Sequence, residues 1–284
     1  MECIADVRAV LGEGPMWVER EQALYFVDIP ERLLFRWSDA EGVRRIPLPQ
    51  HLCSIAPRVG GGFIGAGYDG FVTISSDLAL EPVGNPEPHL EGNRFNDGKV
   101  DRQGRFWAGT MDQSERDASG SLYRLDPDLS WTRIDSVYRV TNGPAFSLDG
   151  RTMYHSDSAL QIIYAFDLAA DGSAANRRVF ARFEGAQGYP DGMTVDAQDC
   201  LWVAFWDGWC LRRLSPAGDI LRELPVPVQQ PTSCAFGGPA LDQLFITSAR
   251  RGLTPDQLVA QPYAGGLFMT VPGVIGVAEP SFAG

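Results

Sequence analysis

The feature that most limits what this chain can fold into is a pattern repeated six times. Each copy holds a short run rich in aromatic and β-branched residues, a small turn and a second run of the same kind. The first runs begin at Ala23, Gly62, Arg105, Thr152, Cys200 and Gln243. A repeat of roughly 40 to 48 residues without helical periodicity is typical of the four-stranded blades of a β-propeller. We therefore predict an all-β fold, a six-bladed β-propeller with four-stranded antiparallel blades, in which residues 1–284 form a single domain.

The charge and the cysteines of the chain argue against several classes of partner. The formal net charge is -12, so the phosphates of a nucleic acid or of an anionic membrane would be repelled. The five cysteines form no Cys-x-x-Cys pair, no apolar stretch is long enough to cross a bilayer, and no signal-peptide pattern opens the sequence. We expect a cytoplasmic protein without nucleic-acid or membrane partners, and no sequence feature indicates an oligomeric state.

Polar residues recur at one position of the repeat, the entrance of the strand that precedes each pair of runs. The six entrances are Gly12-Glu13-Gly14-Pro15, Leu52-Cys53-Ser54-Ile55, Asn96-Asp97-Gly98-Lys99, Thr141-Asn142-Gly143-Pro144, Pro190-Asp191-Gly192-Met193 and Pro231-Thr232-Ser233-Cys234. The first strand of a propeller blade lines the central channel, so equivalent entrances converge on one rim of the axis. We therefore expect Glu13, Asn142 and Asp191 to face one another, together with Asn96 or Asp97.

These side chains suit a divalent cation. Two carboxylates in a narrow channel raise each other's pKa unless a cation lies between them, and the Asn142 amide adds a neutral oxygen. An all-oxygen set favours hard ions such as Ca²⁺, Mg²⁺ or Mn²⁺. The competing interpretation treats each Asn-Gly or Asp-Gly pair as an ordinary turn and Glu13 as a solvated loop residue. It does not explain why polar residues recur at the same place in successive repeats.

Several segments, taken together, resemble one enzyme family. They are Gly12-Glu13-Gly14-Pro15, the run from Arg94 to Asp101, Trp107-Ala108-Gly109-Thr110-Met111, Asn142-Gly143 with Ser147-Leu148-Asp149, and Pro190-Asp191-Gly192-Met193 with Leu201-Trp202-Val203-Ala204. In this order, and over nearly the whole chain, they are similar to the senescence marker protein, gluconolactonase and luciferin-regenerating enzyme family, which includes regucalcin. The resemblance implies a six-bladed propeller that hydrolyses a small sugar lactone with one divalent metal ion, Ca²⁺, Zn²⁺, Mn²⁺ or Mg²⁺.

The resemblance also implies roles for individual residues. Glu13, Asn142 and Asp191 match the metal ligands of the family, and Asp191 also matches its catalytic acid/base. Arg94 and Asn96 match positions that contact the substrate. Mammalian-type members place an acidic substrate contact on a lid loop, where this chain has Gln113-Ser114 and then Glu115. We take Glu115 as the third substrate contact.

Two other functions stay open on the sequence. One is a calcium-binding regulatory protein of the regucalcin type, and Arg94 separates it from an enzyme because an ion buffer needs no guanidinium beside its metal. The other is a promiscuous esterase that resembles the paraoxonases. Serine hydrolysis is disfavoured, because no Gly-x-Ser-x-Gly elbow exists and no entrance supplies a histidine. We interpret the remaining candidates as structural or exposed residues: His51, His89, His155, Trp17, Trp107, Trp202 and Trp206.

Overall fold

The computed structural model describes all 284 residues and is built almost entirely of strands. Three single-turn 3₁₀ helices span Glu19–Glu21, Ser158–Leu160 and Gly185–Gln187, and one α-helix, α1, spans Pro255–Ala260. The strands are β1 (Glu2–Ala5), β2 (Gly12–Val18), β3 (Ala23–Asp28), β4 (Leu33–Ser38), β5 (Gly42–Pro47), β6 (Leu52–Pro57), β7 (Phe63–Gly67), β8 (Gly70–Ile74), β9 (Leu80–Gly84), β10 (Asn93–Val100), β11 (Phe106–Asp112), β12 (Gly120–Leu125), β13 (Trp131–Tyr138), β14 (Thr141–Phe146), β15 (Thr152–Asp157), β16 (Ile162–Leu168), β17 (Ala174–Arg182), β18 (Tyr189–Val195), β19 (Leu201–Trp206), β20 (Cys210–Leu214), β21 (Ile220–Pro225), β22 (Pro231–Gly237), β23 (Gln243–Ser248) and β24 (Leu267–Thr270).

The strands pair into six four-stranded antiparallel sheets, which confirms the predicted six-bladed β-propeller. Blades 1 to 5 each use four consecutive strands: β2 to β5, β6 to β9, β10 to β13, β14 to β17 and β18 to β21. Blade 6 has the order β1-β24-β23-β22, so the first strand of the chain completes the sheet of the last three. The edge of β24 is thereby paired instead of being left open to another chain.

The chain groups into two compact units of three blades each. The first unit comprises residues 1–49 and 183–278, with blades 1, 5 and 6, and the second comprises 50–182 and 279–284, with blades 2, 3 and 4. In the first unit β22 lies against β2 and β18, and in the second unit β10 lies against β6 and β14. Within each unit the first strands of neighbouring blades are therefore in contact.

The fourth strand of each blade is its most exposed strand. In blade 4 every residue of β14 is buried, whereas most residues of β17 are exposed. The middle strands lie between neighbouring blades and are covered on both faces, which explains their continuous apolar and aromatic runs. In the second unit Phe71, Phe95 and Phe106 form such a core, and Phe282 from the segment 279–284 is fully buried in it.

Two buried aspartates anchor the turn between the first and second strands of their blades. In blade 3, Asp101 accepts hydrogen bonds from the backbone N–H groups of Gln103 and Arg105, at 2.9 and 3.0 Å. It also accepts from Arg105 Nε at 2.6 Å and from Trp107 Nε1 at 2.8 Å. In blade 5, Asp196 accepts the equivalent bonds from two backbone N–H groups and from Trp202 Nε1, and it accepts a further bond from Arg213 of β20. These shared contacts explain why Trp107 and Trp202 recur at one position of the repeat.

Besides the three 3₁₀ turns, the structure adds one α-helix to the all-strand prediction, the short helix α1. Thr254 caps it, because its side chain accepts a hydrogen bond from Gln257 N while the Gln257 side chain returns to the Thr254 backbone. Pro255 occupies the first helical position, which suits a residue without an N–H group. Six residues are too few for a helical period to be visible in the sequence. No helix in the chain has the length and apolar character needed to cross a lipid bilayer.

Candidate active site

Every blade carries a β-bulge in its first strand, at the entrance position that the sequence repeats align. The register shifts fall between Glu13 and Met16, Leu52 and Ser54, Phe95 and Gly98, Asn142 and Ala145, Pro190 and Met193, and Pro231 and Ser233. In each case the first strand holds one residue more than the strand paired with it. A bulge locally breaks the alternation of side chains and redirects one of them. The recurring polar residues therefore lie at the points where the backbone of each first strand is distorted.

In the first unit, Glu13 and Asp191 are buried on either side of the entrance of blade 6. Glu13 is 7% exposed and Asp191 is 5% exposed. The blade 6 entrance bonds to blade 1 through Thr232 Oγ1, which donates to Gly12 O at 2.5 Å. It packs equally closely on blade 5, because a Cβ on Gly192 would lie 2.1 Å from Ser233 Oγ. The first unit thus brings the strands of both predicted carboxylate ligands against one entrance.

In the second unit, Asn142 and Asn96 form a bonded pair of amides. Asn96 Nδ2 donates to Asn142 Oδ1 at 2.9 Å and to the backbone oxygen of Thr141 at 2.7 Å. Asn142 Nδ2 donates to Ser158 Oγ at 2.8 Å. These bonds orient the Asn142 amide with Oδ1 as its acceptor, and that oxygen still has a second lone pair. The predicted ligand Asn142 and the predicted substrate contact Asn96 are therefore joined directly.

Asp97 connects the entrances of blades 3 and 4 from the other side of the same bulge. Its carboxylate accepts from Gly98 N at 2.7 Å and from Gly143 N at 2.9 Å. Burial raises the pKa of Asp97 above its ordinary value, although Lys99 and the two backbone N–H groups favour the charged form. Asp97 thus holds the backbone beside Asn142. Asn96, and not Asp97, contacts the Asn142 side chain.

Arg94 is a buried cation on β10, two residues before Asn96. It is 4% exposed, and its Nη1 donates to Asn96 Oδ1 at 2.7 Å and to the backbone oxygen of Phe95 at 2.8 Å. Nη1 also contacts Cys53 Sγ at 3.8 Å, and the guanidinium lies over the ring of Tyr68 with Cζ 5.4 Å from the ring centre. The second unit therefore brings Arg94, Asn96 and Asn142 together.

Glu115 lies in the exposed loop that follows β11. Asp112 organises this loop by accepting hydrogen bonds from Ser114, Arg116 and Asp117, and these bonds hold the pKa of its carboxyl well below the usual range. Glu115 has a backbone φ of 61° and donates its N–H to the Asp112 backbone oxygen. None of the hydrogen bonds of Arg94 or Asn96 goes to Glu115.

The histidines and tryptophans occupy three kinds of place. Trp107 and Trp202 are fully buried and bind the anchoring aspartates, and His155 is fully buried as well. His89 is exposed. His51 is half-buried and stacks on Tyr68, the ring that also contacts Arg94, at 4.5 Å between ring centres. Sequence reasoning missed this link because neither His51 nor Tyr68 belongs to a repeated motif.

No group of three or more His, Cys, Asp and Glu side chains in the chain is placed to hold a metal ion. The predicted ligand set is not of that kind, since it contains two carboxylates and one amide. Whether Glu13, Asn142 and Asp191 meet around one ion stays a prediction.

Comparisons with known proteins agree with the repeats and the fold. The family model "SMP-30/Gluconolactonase/LRE-like region" matches residues 11–250. The chain is 39% identical to a 6-deoxy-6-sulfogluconolactonase of Pseudomonas putida, with 100% of this chain and 99% of the relative covered. It is 37% identical to regucalcin of Macaca fascicularis, with coverages of 100% and 98%. The crystal structure of a calcium-binding protein, regucalcin, from Agrobacterium tumefaciens str. C58 superposes with a TM-score of 0.94 at 28% identity, over 99% of this chain and 96% of that one. The chain therefore belongs to the SMP-30/gluconolactonase/LRE-like family.

Proposed function

We propose that this chain is a divalent-metal-dependent hydrolase that opens sugar lactones to aldonic acids. The observation that carries the proposal is the burial of Glu13, Asn142 and Asp191 at the bulged entrances of three different first strands. Membership of the SMP-30/gluconolactonase/LRE-like family supports it, as does the similarity to a relative named as a sulfogluconolactonase.

The donor atoms of these three residues fit a hard divalent ion. Buried carboxylates need compensating positive charge, and Ser158 orients the Asn142 amide so that its oxygen can act as a neutral ligand. We propose that Glu13, Asn142 and Asp191 hold Ca²⁺, Mg²⁺, Mn²⁺ or Zn²⁺. A bound divalent ion would stabilise negative charge on the lactone carbonyl oxygen and increase the acidity of water at the site.

The side chains of the protein carry the remaining steps. Asp191 accepts a proton from the water molecule whose oxygen attacks the carbonyl carbon of the lactone. The bond between that carbon and the ring oxygen then breaks, and the ring oxygen takes up the proton from Asp191 to give the open-chain aldonic acid. Arg94 donates hydrogen bonds to substrate oxygens. Asn96 Oδ1 and Glu115 accept hydrogen bonds from substrate hydroxyls, because both N–H groups of Asn96 Nδ2 already bond to Thr141 O and Asn142 Oδ1.

Proton release during incubation with glucono-, xylono-, arabino- and galactonolactone tests the proposal. We expect at least one lactone to open faster than its spontaneous rate, loss of this activity after chelation, and recovery when one of the four metal ions is added. Asp191→Asn should lower kcat by about a hundredfold or more, because it removes the general base. Asp128→Asn changes an exposed loop aspartate and serves as the matched control. Spontaneous rates for all lactones would refute the proposal.

The panel should also include a lactone with a sulfonate at C6, because the relative from Pseudomonas putida is named for such a substrate. Arg94 could serve either class of substrate, since a guanidinium binds sulfonate and hydroxyl oxygens alike. A preference of kcat/KM for the sulfonated lactone over gluconolactone would assign the chain to the anionic substrate class.

A calcium-binding regulatory role is the second candidate, favoured by the relatives that carry the name regucalcin. Arg94→Ala separates the two functions. In a hydrolase the substitution should strongly reduce lactone turnover, to a low rate that can still be measured, and leave calcium affinity unchanged. If calcium binds to the wild-type protein but no lactone opens, the regulatory role is favoured.

We also propose a cytoplasmic location. All five cysteines are free thiols, and four of them are buried. Buried free thiols are typical of proteins kept in a reducing compartment.

A further inference from the structure

The guanidinium of Arg94 uses only part of its hydrogen-bonding capacity within the protein. All of its hydrogen bonds leave from Nη1, to Phe95 O, Asn96 Oδ1 and the sulfur of Cys53. It forms no ion pair with a carboxylate, and its buried Nε has no hydrogen-bond partner. A buried cation and a buried N–H donor are both unfavourable unless a ligand supplies acceptors.

The unused donors of Arg94 lie on one edge of the guanidinium. Nε–H and the outer N–H of Nη2 point the same way and can form two parallel hydrogen bonds. This edge matches a pair of oxygen atoms, as in a carboxylate or in the carbonyl and neighbouring hydroxyl of a lactone. The direction of the edge depends on what holds the plane of the guanidinium, and the only hydrogen bonds that do so leave from Nη1.

A stacked pair of rings from blade 2 supports that plane. Arg94 Cζ lies 5.4 Å from the ring centre of Tyr68, and the Tyr68 ring is stacked on His51 at 4.5 Å with 23° between the rings. Tyr68 lies in the turn between β7 and β8, and its backbone N–H donates to His51 O at 3.2 Å. A Cβ on Gly67 would lie 2.1 Å from His51 O, so only glycine lets the backbone at position 67 come this close to His51.

We propose that Tyr68, backed by His51, is a positioning residue that holds the Nε and Nη2 edge of Arg94 toward a pair of oxygen atoms of the substrate. The proposal rests on the proposed lactone hydrolysis for its ligand. It adds two residues from outside the repeated motifs to the recognition of the substrate. Tyr68 acts through Arg94, because the aromatic face of Tyr68 supports the guanidinium.

Steady-state kinetics with four variants tests this role. Tyr68→Leu removes the aromatic face and should lower kcat/KM about tenfold, mainly through a higher KM. Tyr68→Phe keeps the face and should stay within about twofold of the wild type, while His51→Ala should cause a smaller loss than Tyr68→Leu. Tyr263→Leu is the matched control, because that tyrosine is 50% exposed. Equal losses for Tyr68→Phe and Tyr68→Leu would overturn the proposal.

A double-mutant cycle distinguishes positioning from a general structural effect. Once Arg94→Ala has removed the guanidinium, adding Tyr68→Leu should cause no further loss of kcat/KM. If the losses of kcat/KM in the two single variants multiply in the double variant, Tyr68 does not act through Arg94. A wild-type protein that opens no lactone would instead refute the proposed function, so the two failures have different signatures.

A spectroscopic readout examines the same contact without turnover. The Hε and Nε resonances of Arg94 should shift on Tyr68→Leu, because the ring current of the tyrosine is lost, and should hardly move on Tyr263→Leu. Resonances of Arg94 that stay unchanged in Tyr68→Leu would overturn the proposal even if the protein is an active lactonase.

Discussion

The environment of His155 predicts a specific pH dependence of stability. His155 is fully buried in β15, and neither of its ring nitrogens has a hydrogen-bond partner. Its ring meets Tyr138 edge to face at 4.9 Å. Arg177 lies over the same tyrosine and bonds to Asp135, which also accepts from the Tyr138 hydroxyl. Burial, with a smaller contribution from Arg177, lowers the pKa of His155 from 6.5 to about 3.

The depressed pKa of His155 sets both the sign and the size of the effect. The unfolded chain binds a proton at His155 below pH 6.5 while the folded chain does not, so stability falls as the pH falls from 6.5 toward 3. With these two pKa values, the titration of His155 costs the folded protein almost no stability at pH 8, and it lowers the free energy of unfolding by about 2 kcal/mol at pH 5. Each further unit of acid removes about 1.4 kcal/mol until the pH approaches the folded pKa.

Urea unfolding of the wild type and of His155→Phe at pH 8, 7, 6 and 5 measures this contribution. The variant keeps the contact between rings and has no titratable nitrogen, so its advantage over the wild type should grow by about 2 kcal/mol from pH 8 to pH 5. His89→Phe, at an exposed histidine, controls for the loss of a histidine as such. A difference between wild type and His155→Phe that is constant with pH would refute the reasoning.

Three more substitutions test the fold and the entrances. Asp101→Asn places an amide N–H₂ group opposite the donors Trp107 Nε1 and Arg105 Nε, which then lose their acceptor. It should lower the free energy of unfolding in urea titrations by about 3 to 5 kcal/mol, whereas the control Asp128→Asn should lower it by about 0.5 kcal/mol. Phe282→Ala opens a cavity in the core of the second unit and should lower it by about 3 to 5 kcal/mol, measured the same way. Gly192→Ala should reduce lactone turnover about tenfold or more, because its Cβ would collide with the blade 6 entrance beside Asp191. The control is Gly60→Ala, whose Cβ meets no atom within 4 Å and which should leave lactone turnover unchanged. Wild-type values for any of the first three would contradict the contact concerned.

The strands that the repeats predicted are those buried on both faces. The run that begins at Ala23 becomes β3, in which all residues are buried, and the other first runs are buried at all but one residue at most. The fourth strands were not predicted individually, because exposed strands such as β5 carry no continuous apolar pattern. Strand β1 was also missed, since four residues at the start of the chain gain their pairing only from β24, more than 260 residues away.

The candidate site was likewise predicted only in part from the sequence. The sequence aligned the entrances of all six blades, and the structure shows a bulge at each of them. It could not predict that Asn96 binds the Asn142 amide across two blades, or that Asp97 braces Gly143 instead. Which of two adjacent polar residues reaches a neighbouring blade depends on how the bulge turns the backbone, and residue type alone does not decide this.

By itself, the sequence determined the six-bladed architecture and the polar positions, because strand patterns, turns and repeat length are local properties visible in neighbouring residues. The tertiary structure alone decided which side chains touch. The stack of His51, Tyr68 and Arg94 joins blade 2 to blade 3 through residues that no motif links. Contacts of this kind depend on how neighbouring blades pack, to within a few tenths of an ångström, and the sequence spacing of the residues carries no information at that scale.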